Sequence, residues 1–156
     1  MSDGEPTPFE RLGGLDGVRT LVDRFYDLMD SLPEAAPIRA MHPKDLRMSR
    51  EKLYLFLCGW LGGPSLYIER FGHPRLRARH LPFPIGDDES AQWMLCMSRA
   101  LDDLDDTELR NMLVGAFERT ALHMRNQGGM QVVGPGLGGG GGGGRGGGGG
   151  RGGRPR

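Results

Sequence analysis

Apolar side chains in residues 15–30 recur at Val18, Leu21, Val22, Phe25, Tyr26 and Met29, the three- and four-residue spacing that lays one stripe along an α-helix. A half-buried strand would need strict alternation, and no stretch of the chain combines that with hairpin turns. The helical spacing returns over 46–61, with Met48, Leu53, Leu55, Phe56, Leu57 and Trp60. It returns again from Thr107, with Leu109, Met112, Leu113, Ala116, Phe117, Thr120, Ala121 and Met124 on one face. Between these, a cap at Asp87 or Asp88 predicts a helix to about Leu101, and Glu89 suits the positive end of its dipole. The expected fold class is all-α.

Glycine and proline punctuate these runs. A short helix is expected over Phe9–Leu12, stopped at Gly13-Gly14, where glycine can adopt the positive φ that a helix end uses. Residues 31–43 hold Pro33, Pro37 and Pro43 and read as a loop with a turn of helix at most. Gly62-Gly63-Pro64 ends the helix over 46–61, and Ser65 to Phe71 reads as a short turn or irregular loop. Residues 1–8 are polar, contain two prolines and are expected to be disordered.

From Gly128 onward, 18 of the last 29 residues are glycine. Such a segment cannot bury enough surface to offset its backbone entropy. The expected organisation is therefore one folded domain over 9–127 and a disordered Gly/Arg-rich tail over 128–156. The chain's 20 basic and 20 acidic residues balance, but without the tail's four arginines the count is 16 against 20. Any nucleic-acid affinity would thus reside in the tail. The tail itself reads three ways: a flexible soluble extension, a sparse arginine-glycine segment for RNA, or one for an acidic partner. It offers no aromatic side chain for base stacking.

Cys58 and Cys96 are too few for a disulfide scaffold and fall in helix-like apolar stretches. They read as reduced core residues of a cytoplasmic protein, with a regulatory disulfide as the other reading. No apolar N-terminal run follows a basic start, so neither secretion nor membrane insertion is expected.

The stretch Gly72 to Ile85, GHPRLRARHLPFPI, carries the chemistry. Its reading is a two-turn helix over 74–80, capped by His73 with Pro74 in the first turn and stopped by Leu81-Pro82. His80 then lies at a helix end, where an imidazole can point toward a metal, with Arg77 and Arg79 nearby to meet anions.

This block, with the Phe25-Tyr26 pair, the WLGGPSLY segment over 60–67 and Trp93 within AQWMLCM, closely resembles the group II truncated haemoglobins. The likeness runs from about Phe9 to Gln127 and does not cover the tail. It implies a two-over-two helical sandwich holding haem b (iron protoporphyrin IX), with His80 as the proximal iron ligand and His73 as the local alternative. It also implies that Tyr26 and Trp93 donate hydrogen bonds to a bound diatomic ligand; from their residue types alone, both read equally as core aromatics.

His42 aligns with a distal position just before the helix over 46–61, where it is either a second titratable donor near the ligand or a solvent-exposed loop histidine. Leu53 would supply a dry wall, and the small Ser49 would leave the ligand's route open. Lys52, Arg77 and Arg79 are the expected partners of the haem propionates, each exposed pair contributing only about 0–1 kcal/mol. Phe56, Leu57, Leu76, Phe83 and Met97 are candidates for apolar haem contacts, a role that ordinary core packing explains equally well.

The function so implied is reversible binding of O2, CO, NO or similar ligands, with peroxide turnover or conversion of NO to nitrate as enzymatic side activities. These would need an external reductase, since no flavin or nicotinamide fingerprint is present. The protein would be a monomer or homodimer. The rival reading is a haem-free helical interaction module whose tail recruits RNA or an acidic protein.

Overall fold

The computed structural model describes residues 4–126, so the Gly/Arg-rich tail lies outside the described residues. Helix α1 (Pro8–Leu12) starts on a reciprocal cap: Thr7 Oγ1 accepts from Glu10 N at 3.1 Å, and Glu10 Oε1 accepts from Thr7 N at 3.0 Å. Thr7 and Pro8 therefore belong to the start of the first helix, ahead of the Phe9 boundary read from the sequence. Gly13, at φ 114°, ends α1 and leads directly into α2 (Gly14–Ser31). The six apolar residues that predicted α2 are its buried residues.

The segment 31–43 is more ordered than expected. A 3-10 turn at Pro33–Ala35 runs into α3 (Ala36–Ala40). Pro33 and Pro37 each occupy a first-turn position, where a missing N–H leaves no hydrogen bond unmade. They start helices here instead of breaking them.

Helix α4 (Arg47–Trp60) follows, then α5 (Leu66–Phe71), α6 (Leu76–His80), α7 (Asp87–Leu101) and α8 (Thr107–His123). Helix α7 is capped differently from the expectation. Gly86 is the cap residue, and Glu89 Oε1 reaches back to accept from Gly86 N at 2.8 Å. Helix α8 starts on Asp106, which accepts from Leu109 N and is itself clasped by Arg11 of α1 at 2.9 Å.

Two helix pairs, α2 with α4 and α7 with α8, are joined through the contact of α2 with α7. Their shared core contains Val18, Val22, Phe25 and Met29 from α2, Leu57 and Cys58 from α4, Cys96, Met97 and Leu101 from α7, and Leu109 and Phe117 from α8. Among the described residues no strand occurs, and this is the all-α, two-over-two arrangement expected. Not every residue on a predicted apolar face is inside: Met48 is 50% exposed and Trp60 is 37% exposed.

The loop after α4 explains its glycines. Gly63 N donates to Cys58 O at 2.8 Å, and Phe9 N donates to Leu61 O at 2.9 Å, so α1 lies against the end of α4. A Cβ on Gly63 would meet the Phe9 ring at 2.6 Å. Only glycine admits that approach. Cys58 and Cys96 are both free and buried; burial raises both thiol pKa values, that of Cys96 to about 11. They remain protonated and inert at neutral pH.

The core assignment makes a paired prediction within α8. Leu109 is fully buried, so Leu109→Ala is expected to destabilise the fold by about 2–5 kcal/mol. Leu122, 44% exposed on the same helix, is expected to change stability by less than about 0.5 kcal/mol on the same replacement. Denaturant unfolding of both variants checks this; equal losses would refute the placement of α8.

Candidate functional site

Helix α6 is shorter than expected and begins differently. Arg75 takes the left-handed conformation at φ 48°, and the helix starts only at Leu76. His73 does not cap it: His73 Nδ1 accepts from Arg75 N at 3.1 Å and closes a turn ahead of the helix. His80 is the last residue of α6. Its Nδ1 lies 2.6 Å from Leu76 O. A carbonyl can only accept, so Nδ1 carries the proton and Nε2 keeps its lone pair, the arrangement a metal-ligating imidazole needs.

Around His80 the chain shows apolar groups to the outside. Leu81 is 53% exposed and Phe83 41% exposed, while Leu76 and Ile85 are half-buried. The loop that carries Leu81 and Phe83 is tied to the end of α8 by Asn126, which bonds to His80 O, Phe83 O, Ile85 N and Ile85 O.

On α2, Tyr26 is 6% exposed and has no hydrogen-bond partner for its hydroxyl among the described residues. Burial drives its pKa well above the ordinary tyrosine value, with Arg50 acting in the opposite direction. It is a neutral O–H donor. Three neighbours fix its ring: Phe25 edge-on at 4.9 Å, His42 edge-on at 5.8 Å, and the Arg50 guanidinium at 5.8 Å. Arg50 spans from α4 to α2, donating to Asp23 at 3.0 Å and Asp27 at 2.8 Å, the carboxylates on the Tyr26 side of α2. Trp93 of α7 stands against Phe25 at 5.0 Å and Phe117 at 5.8 Å. Tyr26 and Trp93 thus both contact the same buried ring.

His42 belongs to this group and is not an exposed loop residue: it is half-buried, and its Nδ1 lies 2.8 Å from Ile38 O. Burial lowers its pKa, the Ile38 carbonyl opposes that, and the charges of Arg39 and His80 lower it further. The effect of the His80 charge brings the two histidines into one electrostatic neighbourhood.

The other predicted residues divide by location. Leu53 and Phe56 pack against the core from α4 while part-exposed, and Ser49 is half-buried one turn ahead of Leu53. Leu57 and Met97 are fully inside the core. Lys52 is exposed, with Nζ 5.5 Å from the Phe71 ring. Arg77 donates to the carbonyls of His123 and Arg125, and Arg79 to that of Pro74. Both keep exposed positive charge and pair with no carboxylate among the described residues. Arg50 and Asn126 escaped the sequence reading, since each acts on residues far away in the chain.

These features fit a flat, anionic, iron-bearing cofactor. One imidazole at a helix end keeps the lone pair of its Nε2, apolar side chains are exposed beside it, the guanidinium groups of Arg77 and Arg79 lie on the same helix, and His42, packed on the buried Tyr26, shares its electrostatic neighbourhood. Among the described residues, no cluster of three or more His, Cys, Asp or Glu side chains could hold a metal ion by itself.

Comparison with known proteins agrees. Residues 7–126 match the bacterial-like globin family. A group 2 truncated haemoglobin of Bacillus subtilis is 45% identical over 128 residues, covering 81% of this chain and 94% of that protein. The solved group II 2-on-2 haemoglobin of Agrobacterium tumefaciens superposes with a TM-score of 0.79 at 49% identity, over 82% of this chain and 100% of that one. A truncated oxygen-avid haemoglobin from Bacillus subtilis superposes with a TM-score of 0.70 at 43% identity, over 78% of this chain and 100% of that one. The chain belongs to the group II truncated haemoglobins, a family of haem-binding globins. No helix among the described residues is long and apolar enough to cross a membrane.

The lowered pKa of His42 sets a pH dependence. With its folded pKa below the usual value of about 6.5, the unfolded chain takes up the proton first. The parent should therefore lose stability as pH falls below about 6.5, and His42→Phe should lose less over the same range. Thermal midpoints of both proteins at about pH 7.5 and 5.5 check this; parallel changes would refute it.

Proposed function

We propose that the protein is a haem b globin that reversibly binds O2 and related diatomic ligands, with His80 as the proximal iron ligand and Tyr26 and Trp93 as the distal donors. The observation that carries this reading is the pairing of His80, whose Nδ1 faces the Leu76 carbonyl and leaves Nε2 for a metal, with His42 in its electrostatic neighbourhood and the buried Tyr26 ring packed edge-on against His42. The relative named as oxygen-avid supports the choice of O2. When bound, haem supplies a ferrous iron with one coordination position for the ligand.

The chain's own residues do the rest. The Leu76 carbonyl fixes the tautomer and rotation of His80, so that Nε2 is the ligating atom. Leu76, Leu81 and Phe83 cover the cofactor's faces and exclude water, and Phe56 and Leu53 do so from α4. Leu57 and Met97 back this wall from the core. Lys52, Arg77 and Arg79 orient the propionates at the rim. Tyr26 O–H and the Trp93 indole N–H point donors at a ligand that carries partial negative charge. His42 is neutral near pH 7 and offers a further polar group beside Tyr26, and Ser49 keeps the approach unobstructed. The Gly/Arg tail, with its RNA or acidic-partner reading, lies outside the described residues.

The proximal assignment separates His80 from His73 directly. His80→Ala is expected to abolish stable haem retention, or to leave a spectrum without the five-coordinate, histidine-ligated ferrous form. His73→Ala should keep that form, because its imidazole is engaged in the turn at Arg75. The opposite outcome would transfer the role to His73.

The distal assignment is tested by Trp93→Phe, which keeps bulk and removes the donor. A hydrogen bond to a partly charged acceptor contributes about 1.5–3 kcal/mol, equivalent to roughly a tenfold to hundredfold change in dissociation constant. Stopped-flow O2 release should accelerate at least about tenfold, with a smaller effect on the less polar CO. Equal changes for both ligands would make Trp93 a steric wall.

A further inference from the structure

Asn126 follows the end of α8, and its bonds converge on one short loop. Asn126 Nδ2 donates to His80 O at 3.3 Å and to Phe83 O at 3.0 Å, while Asn126 Oδ1 accepts from Ile85 N at 3.0 Å. Asn126 N in turn donates to Ile85 O at 2.7 Å. The amide side chain thus uses both its donors and its acceptor on residues 80–85, more than forty positions away.

That loop needs such an anchor. Helix α6 has only five residues, no side-chain cap and a left-handed residue at its start, so its own hydrogen bonds hold it weakly in place. Leu81 and Phe83, which follow it, are exposed and gain little from core packing. Two further bonds bring α6 to the same place: Arg77 donates to the carbonyls of His123 and Arg125 at 3.3 Å each. The end of α8 is therefore the surface on which the His80 segment rests, and Asn126 reaches from it to the carbonyl of His80, which also accepts from Phe83 N at 3.0 Å within the loop.

We propose that Asn126 is a positioning residue for the proximal histidine: by holding the His80 carbonyl and the following loop, it sets the angle and distance at which His80 Nε2 meets the cofactor. The proposal rests on the reading of His80 as the iron ligand. Helix α8 thereby acts on cofactor chemistry through a contact that includes no cofactor atom. Asp could not replace Asn here, because a carboxylate keeps the acceptor for Ile85 N but has no hydrogen to give to His80 O and Phe83 O.

The test uses the full-length, haem-loaded ferrous protein and reads the iron–histidine stretching band by resonance Raman spectroscopy, with the rate of haem transfer to an excess of apomyoglobin as a second readout. Asn126→Asp and Asn126→Ala should both shift and broaden the band and speed haem loss roughly threefold to tenfold, the scale of one or two neutral hydrogen bonds. Arg125→Ala is the control: it removes the 2.6 Å pair with Asp87 at the same helix end and leaves Asn126 in place. It should leave the band where it is. An unchanged band in Asn126→Asp and Asn126→Ala overturns the proposal, as does an equal shift in Arg125→Ala, which would mark general loosening of the α8 end. A band that survives in His80→Ala overturns the reading of His80 and the proposal with it, and so is told apart from the failure of Asn126 alone.

Discussion

The buried face of α2 is the constraint on which the rest of the structure depends. Its residues Val18, Val22, Phe25 and Met29 are shielded from solvent by α4 and α7 together. Burying a large apolar side chain contributes about 1.5–3 kcal/mol, so both partner helices are held to that face. Phe25 is the centre of it. It touches both Tyr26 and Trp93, and Trp93 continues to Phe117 of α8. The aromatic contacts that join the two helix pairs are also the contacts that hold Tyr26 and Trp93, the two proposed distal donors. Under that proposal, stability and ligand binding share one set of side chains.

The helices were legible because their apolar stripes are long and regular. All six residues that predicted α2 are buried, and the glycine pairs end α1 and α4 where expected. The errors have local causes. Pro33 and Pro37 read as breakers, yet both occupy helix first turns, where proline costs nothing. His73 read as a helix cap, but its imidazole is used two residues on by Arg75 N, and the left-handed Arg75 delays the helix to Leu76. Met48 and Trp60 carry the helical period and still face outward, because the period fixes a stripe and not its width.

The residues proposed for the site follow from the family's sequence pattern, whereas the side chains that pack around them in the fold carry no such mark. Nothing local marks Arg50 as the residue that grips Asp23 and Asp27 around Tyr26, since an arginine among charged neighbours on a helix usually faces solvent. Asn126 is equally unmarked. Its partners at residues 80–85 become neighbours only once α8 has packed and brought its C-terminal end beside α6. Residues that carry chemistry keep a recognisable type and spacing, but residues that hold them in place are set by tertiary geometry.

The account stands on a single claim, that this arrangement of His80, Tyr26 and Trp93 encloses haem. The absorption spectrum of the purified protein, recorded as reduced and then under CO, tests it most directly. A haem-bound protein shows an intense Soret band that moves to a new position with CO. A protein that shows no Soret band as purified, and acquires none when haemin is added in stoichiometric amount, would contradict it.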